Sequence, residues 1–348
     1  LHSFQHAYLE RLSFSAEEAR TLATLGEARG RQELFVRQQP EILEALRQTA
    51  IVESSESSNR LEGVTAPRER IEALVRRPIE LKNRSEQEIA GYRDALALIH
   101  ESHAHVPFTV NVLLQFHGLL YRYHAGSGGR FKATDNEIVE RGPDGRIVRV
   151  RFKPTSALET PVQMDALVRD YKTAIELRGL HPLVAVPLAV LDLLCVHPFA
   201  DGNGRVARLA TLLLLYHHRF ALGRYVSLER IIEESKDGYY ETLRASSQGW
   251  HKGKHDPHPW LNYFWGILQR ASREFEDRLS GGAEGRLNKS DLVRAAVLRK
   301  VGPFTSTEIE RECPTVSHEL VRLVMRQLRD EGVLMLRGRG RGAKWVRT

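Results

Sequence analysis

The stretch HPFADGNGRVAR, residues 197–208, sets a histidine, an acid, a Gly-Asn-Gly turn and two arginines within twelve positions. An apolar run ends at Val196, and a second helical pattern starts at about Arg205. Glycine tolerates positive φ and lets a ligand come close to the backbone, so Gly202, Asn203 and Gly204 can line a tight polar turn. A helix N-terminus just after the turn offers unpaired N–H groups and a partial positive charge, which together suit an anion. Arg205 and Arg208, three apart, share a helix face there. Two guanidiniums above such a terminus suit a polyphosphate. Asp201, at the edge of the loop, could hold Mg²⁺ bridging the phosphates. His197 enters from the other side, placed to take a proton from an attacking hydroxyl. Phe199 is expected to pack inward and fix the loop. Each of these features alone is commonplace, but their order between two apolar helices points to one site.

The elements that must position this loop are mostly helical. Ser15–Glu18 and Ser85–Glu88 both read as capping boxes opening helices. A helix ending near Glu62 and Gly63, with another from about Pro67, accounts for SSESSNRLEGVTAPRERIEALVRR. Residues 109–124 and 160–196 carry helical spacing, and the second is expected to bend or restart at Pro187. GRVARLATLLLLYHHRF continues out of the loop as another apolar helix, and helices follow through ERIIEES, GYYETLRASSQG and PWLNYFWGILQRASREFEDRL. NEIVERGPDGRIVRVRFKP alternates around Gly142–Gly145 as a β-hairpin, with Ile147, Arg149 and Arg151 on one face and Val148, Val150 and Phe152 on the other.

The chain has 348 residues, 42% hydrophobic and 27% charged, which suits a globular protein of two or three units. Its two cysteines, Cys195 and Cys313, exclude a disulfide framework and fit a reducing cytoplasm. No apolar run approaches a membrane span. The start, LHSFQHAYLERLSF, has no basic region leading into an apolar stretch, so no signal peptide is read there; lacking Met, the numbering is read as beginning inside a longer chain. The net charge is +7, and residues 286–348 carry all of it, with 14 Lys and Arg against 7 Asp and Glu. A basic module on a neutral body suits a polyanion partner, although a solvated basic tail has the same composition.

At this point HPFADGNGRVAR is seen to match every fixed position of H-P-F-x-[DE]-G-N-G-R-x-x-R, and so resembles the signature of the Fic (filamentation induced by cAMP) domain family. The hairpin at 136–154 falls where that family has its flap, and GGRFK before it resembles the family's Gly-x-x-Arg region. The resemblance covers about residues 50–270. It implies a mainly α protein with a helical Fic core, a β-hairpin flap and transfer of AMP from ATP, with Mg²⁺, to a Tyr, Thr or Ser hydroxyl of a target protein docked on the flap. By position it implies that His197 is the general base and Asp201 the metal ligand. Gly202, Asn203 and Gly204 would cradle the α- and β-phosphates with help from Arg205, and Arg208 would hold the γ-phosphate. Tyr239 and Tyr240 resemble the aromatic pair near the adenine, though a core tyrosine in a helix reads the same way. Self-modification, a homodimer, de-AMPylation and transfer of another nucleotide such as UMP stay open.

Upstream, Ser58-x-x-x-Glu62-Gly63 resembles the family's inhibitory motif, in which Glu62 pairs with Arg208 and obstructs the γ-phosphate. Independently of the resemblance, Ser58 and Glu62 share a helix face, and a carboxylate on Arg208 competes with any anionic ligand. The domains expected are residues 1–100, a helical region with the inhibitory helix at about 50–63; 101–278, the Fic core; 279–287, a Gly-rich linker; and 288–348, a winged helix-turn-helix. The last rests on a helix capped by Asn288, a short helix with the capping box Thr305–Glu308, a longer helix bearing Arg322, Arg326 and Arg329, and a basic hairpin with Arg337, Arg339, Arg341 and Lys344. That module is read as a DNA-binding element or, equally, a protein-interaction one. A DNA-binding regulator whose core only senses nucleotide is the alternative to an enzyme. His251, His255 and His258 have no acid or cysteine to complete a metal set and are expected in a solvated loop; His181, His217 and His218 read as helix-terminal or surface residues.

Overall fold

The computed structural model describes residues 1–38, 40–77, 79–124, 128–141, 146–279, 289–298, 300, 302–313, 316–338 and 343–347. They form two compact units, one of residues 1–32 and 50–272, the other of 33–49 and 273–348. In chain order the helices up to the loop are α1 (His6–Leu9), α2 (Ala16–Gln38), α3 (Pro40–Arg60), α4 (Arg68–Arg76), α5 (Arg84–Ser102), α6 (Val110–Leu120), α7 (Thr160–Glu176) and α8 (Pro182–Val196). After it come α9 (Asn203–His217), α10 (Leu228–Glu234), α11 (Lys236–Ser247) and α12 (His258–Leu279).

The first unit is built around α8 and α9. Both are apolar nearly all round, and both are buried nearly all round, as such helices must be. Around them, α7 packs on α8, while α5 and α6 pack on α9. Ser15 caps α2 as expected: its Oγ accepts from the Glu18 N–H at 3.2 Å, and its own N–H donates to Glu18 Oε2 at 2.8 Å. The expected box at Ser85–Glu88 is not used. Asn83 caps α5 instead, its Oδ1 accepting from the Glu86 N–H at 3.0 Å, and Glu88 is drawn inward by arginines.

Pro187 does not break α8, which runs unbroken to Val196. Proline leaves the carbonyl four residues back without its helical donor. That carbonyl, Leu183 O, accepts instead from the indole Nε1–H of Trp265 on α12 at 2.7 Å. Trp260, one and a half turns earlier on the same helix, donates to Pro187 O at 2.8 Å. The proline is therefore tied in by two indoles from a neighbouring helix.

The hairpin forms as expected from β1 (Ile138–Arg141) and β2 (Ile147–Phe152), antiparallel, with Val139 opposite Val150 and Glu140 opposite Arg149. Irregularities between Ile138 and Val139 and between Glu140 and Arg141 interrupt the register, so the two faces read from strict alternation do not run the length of β2. The Gly142–Gly145 turn lies outside the described residues. His255 is not in a solvated loop: it is buried, stacked on Tyr8 with ring centroids 4.5 Å apart, its Nε2 2.9 Å from Ser3 Oγ.

In the second unit, α13 (Lys289–Leu298), α14 (Ser306–Glu312) and α15 (His318–Asp330) precede β3 (Leu334–Arg337) and β4 (Lys344–Arg347), which pair antiparallel. Phe304 bridges to Trp345 and adds a short third pairing. Val293, Val297, Phe304, Ile309, Val321, Val324 and Leu328 fill its core. Thr305 caps α14 through the Glu308 N–H. Arg322, Arg326 and Arg329 lie exposed on α15, and Arg337 and Lys344 on the strands. Arg339, Arg341, Asn288 and nearly all of the expected linker fall outside the described residues. Among the described residues no helix is long and apolar enough to cross a membrane.

Candidate active site

The loop after α8 owes its shape to two residues that abandon helical geometry. His197 turns into the left-handed region (φ 51°, ψ 61°) and its N–H closes α8 on Leu193 O at 2.9 Å. The next carbonyl, Leu194 O, would ordinarily receive the N–H of residue 198, but that residue is proline and has none. The His197 Nδ1 lies 3.3 Å from it. A carbonyl only accepts, so Nδ1 carries the ring proton and Nε2 keeps its lone pair. Gly202 (φ 80°) then re-aims the chain into α9.

Phe199 is fully buried, as expected, and stacks on His117 at 4.0 Å. The Asn203 side chain closes the loop on itself: Oδ1 accepts from the Phe199 N–H at 2.9 Å and Nδ2 donates to Phe199 O at 2.8 Å. What Asn203 has left for a ligand is its backbone. Val206 is the first α9 residue whose N–H reaches a carbonyl, Gly202 O, so the amides of Asn203, Gly204 and Arg205 precede the helical ladder. His117 was not singled out from the sequence. It accepts the Gly129 N–H on Nδ1 at 3.0 Å and donates from Nε2 to Asp201 O at 3.2 Å, and burial lowers its pKa to about 4.

His197, Gly204, Arg208, Tyr239, Tyr240 and Glu62 line one cleft of about 310 Å³, which Ile138, Arg151 and Phe152 of the hairpin help to close. Burial lowers the His197 pKa to about 4; Lys132 acts in the same direction, Glu62 and Asp201 against it. Arg208 is clasped by α3 and the turn after it. Its Nε donates to Ser58 Oγ, and its Nη2 to both Ser58 O and Glu62 Oε1, each at 2.8 Å. Burial opposes the charge on Arg208, yet Glu62, Tyr239 and Tyr92 together outweigh it and the pKa is raised. Among the described residues, Nη1 of Arg208 is buried and has no hydrogen-bond partner. A Cβ on Gly204 would stand 2.2 Å from Glu62 Oε1, so the carboxylate occupies the space above the α9 N-terminus that a side chain would fill. Tyr239 is buried with its ring 5.1 Å from that of Tyr240, which is 40% exposed and donates to Leu61 O at 3.3 Å.

Of the expected site residues, Ser58, Asp201, Gly202, Asn203 and Arg205 are not part of the cleft lining. Arg205, 1% exposed, points its guanidinium to Glu88 Oε2 at 2.5 Å, the Tyr121 hydroxyl at 2.9 Å and Asn59 Oδ1 at 3.3 Å. It braces α9 against α5 and α3. Asp201 has a carboxylate that is 62% exposed, with Oδ1 accepting the Gly202 N–H at 2.7 Å. Among the described residues no group of three or more His, Cys, Asp and Glu could hold a metal. One exposed carboxylate nevertheless suits Mg²⁺, which keeps most of its waters and takes one or two protein carboxylates beside phosphate oxygens. The partnerless Nη1 of Arg208 and the unspent α9 amides likewise suit a phosphate chain.

Residues 107–215 match the model of the Fic/DOC family. A protein adenylyltransferase Fic from Nematostella vectensis is 25% identical over 203 residues, 55% of this chain and 42% of that protein. The chain thus spans less than half of that relative. Among solved structures, a Fic family protein from Desulfovibrio desulfuricans G20 superposes with a TM-score of 0.62 at 21% identity, covering 97% of both chains. A Fic domain containing signaling protein from Bacteroides thetaiotaomicron gives 0.61 at 22% identity over 75% of this chain and 97% of that one. Fic-1 from C. elegans gives 0.58 at 20% identity over 76% and 73%. The helical core and its hairpin are the fold these proteins share, and the match to the Fic/DOC family model falls on residues 107–215 of that core.

Proposed function

We propose that the protein is a transferase that moves AMP from ATP to a Tyr, Thr or Ser hydroxyl of a target protein, and that Glu62 holds it back. The observation that carries this reading is the cleft itself: the unprotonated Nε2 of His197, the α9 N-terminus and Arg208 share it, with Glu62 seated on Arg208. A target hydroxyl entering beside the hairpin loses its proton to Nε2 of His197 as its oxygen attacks the α-phosphorus. The bond from the α-phosphorus to the bridging oxygen breaks, and pyrophosphate leaves. The amides of Asn203 and Gly204 hold the phosphates, and Arg208 takes the γ-phosphate once Glu62 swings away. Asp201 would hold Mg²⁺, which when bound neutralises phosphate charge. Tyr239 and Tyr240 would face the base. Catalysis here is mostly alignment and charge stabilisation.

The test uses ATP labelled at the α or the γ position, with Mg²⁺, on wild type, Glu62→Gly and Glu62→Gly/His197→Ala. Self-labelling and labelling of lysate proteins are both scored. Label only from the α position, at least about tenfold stronger in Glu62→Gly than in wild type and absent from the double variant, is the expected result. Equal labelling of wild type and Glu62→Gly would remove the inhibitory role. No label in any of them would point to another nucleotide donor or to a core that only senses nucleotide.

A separate observation concerns the second unit. Its helix, short helix, helix and hairpin follow the order of a winged helix-turn-helix, and α15 exposes Arg322, Arg326 and Arg329 along it. We propose that α15 enters the major groove of DNA, with the hairpin on the phosphates. Binding of duplex DNA that weakens steeply with salt, and is lost in Arg322→Glu/Arg326→Glu, would support this. Binding of equal strength by that variant would direct attention to a protein partner.

A further inference from the structure

Lys132 has no part in the chemistry set out above, yet its ammonium is buried beside the catalytic loop. It is 5% exposed, and the Asp135 carboxylate favours its charge. Its Nζ donates to two neutral oxygens, Asn136 Oδ1 at 2.8 Å and Val196 O at 3.2 Å. Val196 is the last residue of α8, so its carbonyl is one of the four that a helix leaves unpaired and sits at the negative end of the helix dipole. The helix end and the nearby Asp135 carboxylate together make a buried cation tolerable at such a place. The Lys132 backbone N–H donates to Pro198 O at 2.9 Å, and Asn136 Nδ2 donates to Phe199 O at 3.1 Å. Three hydrogen bonds from residues 132 and 136 therefore fall on the carbonyls of 196, 198 and 199, on both sides of His197. Between them the histidine has to hold a left-handed backbone, which is strained for a residue other than glycine.

We propose that Lys132 is a positioning residue for His197: its ammonium caps α8 and its backbone pins the following carbonyl, which together hold the imidazole with Nδ1–H on Leu194 O and Nε2 open to the cleft. This rests on the reading of His197 as the base. The charge has a second effect. Lys132 faces His197 from the 128–136 segment, Glu62 from the turn after α3 and Asp201 from the loop itself. Of these three only Lys132 disfavours a charged imidazole. Burial lowers the pKa of Lys132 itself, to about 8, so the ammonium predominates at neutral pH.

The experiment is a ¹⁵N–¹H spectrum of the histidine side chains in the full ¹⁵N-labelled chain, followed through a pH titration, with His197 assigned by loss of its signals in His197→Gln. Wild type and Lys132→Arg should both show the Nδ1–H tautomer. Lys132→Met should show a mixture of tautomers and a His197 midpoint raised by roughly half to one unit. In the Glu62→Gly background, Lys132→Met should lower kcat for AMP transfer by about 10- to 100-fold with KM for ATP changed less than about threefold, and Lys132→Arg should restore most of it. A His197 tautomer and midpoint in Lys132→Met that match wild type would overturn the proposal. So would failure of Lys132→Arg to rescue. If Lys132→Met does not fold, Asn136→Ala, which removes one acceptor of the ammonium and one loop bond, must move the same readings in the same direction, or the proposal fails. Absence of AMP transfer throughout would defeat the proposed reaction, while the imidazole spectra would still decide the role of Lys132.

Discussion

The proposed role of His197 as a base requires its imidazole to stay neutral. Burial puts its pKa at about 4, so it is unprotonated at any pH above about 5. Were it an ordinary exposed histidine, half would be protonated at about pH 6.5. AMP transfer by Glu62→Gly should therefore be level from pH 6 to 7 and fall only below about pH 5, as read from a kcat/KM profile. A limb centred near 6.5 would mean that the ring is not buried in the working enzyme. His117 holds the other end of the loop, so His117→Ala should lower activity by loosening Phe199 and the Asp201 carbonyl. This site was only partly legible in the sequence. The loop is contiguous and follows local rules of glycine, proline and helix termini; the Ser58 and Glu62 pair comes from the resemblance, and Glu62 sits in the turn after α3 rather than on the helix. Glu88 comes to Arg205 from 117 residues away, and Lys132 to Val196 from 64, and no periodicity announces such pairs. Spacing also put Arg205 and Arg208 on one face. The structure sends their guanidiniums to different partners, because a long side chain reaches past the face that its Cβ defines.

At the level of elements, the fold was readable wherever apolar period was strong, and the misreadings were local. Asn83 displaced Ser85 as the α5 cap because Glu88, which the box would have used, is engaged by Arg84 and Arg205. A bend or restart is expected at Pro187 because a lone helix suffers from proline; no restart occurs, and α8 runs through it. The sequence could not show that Trp265 would supply the missing donor to Leu183 O. That indole gives a direct test. Trp265→Phe keeps most of the ring volume but leaves the buried carbonyl unpaired, and should cost about 1–3 kcal/mol in urea unfolding. A change below about 0.5 kcal/mol would mean that α8 bends to satisfy Leu183 by other means.

Over the whole molecule, three imidazoles, those of His117, His197 and His255, are held neutral with pKa values near 4, each chiefly by burial. The unfolded chain takes up their protons from about pH 6.5 downward, the folded chain only near 4, so stability falls as pH drops through that window. Asp192 opposes them: burial raises its pKa to about 6, so the folded protein gains that proton before the unfolded chain does. For these four groups the net of two imidazoles corresponds to about 3 kcal/mol per pH unit, and the lowered pKa values of His2, His103, His181 and His218 act in the same direction. The melting temperature should decline from pH 6.5 to 4.5, and a flat profile in calorimetry would contradict neutral burial. The face that α3 turns to the core has a different consequence. Past Val52 it is Ser54, Ser55, Ser58 and Asn59, buried hydroxyls and amides, one of which, Ser54 Oγ, donates to the carboxylate of Glu229 at 2.8 Å. Undocking that segment would wet polar groups and hardly any hydrocarbon. Its heat-capacity change should thus be close to zero, and the balance between docked and undocked forms should shift little with temperature.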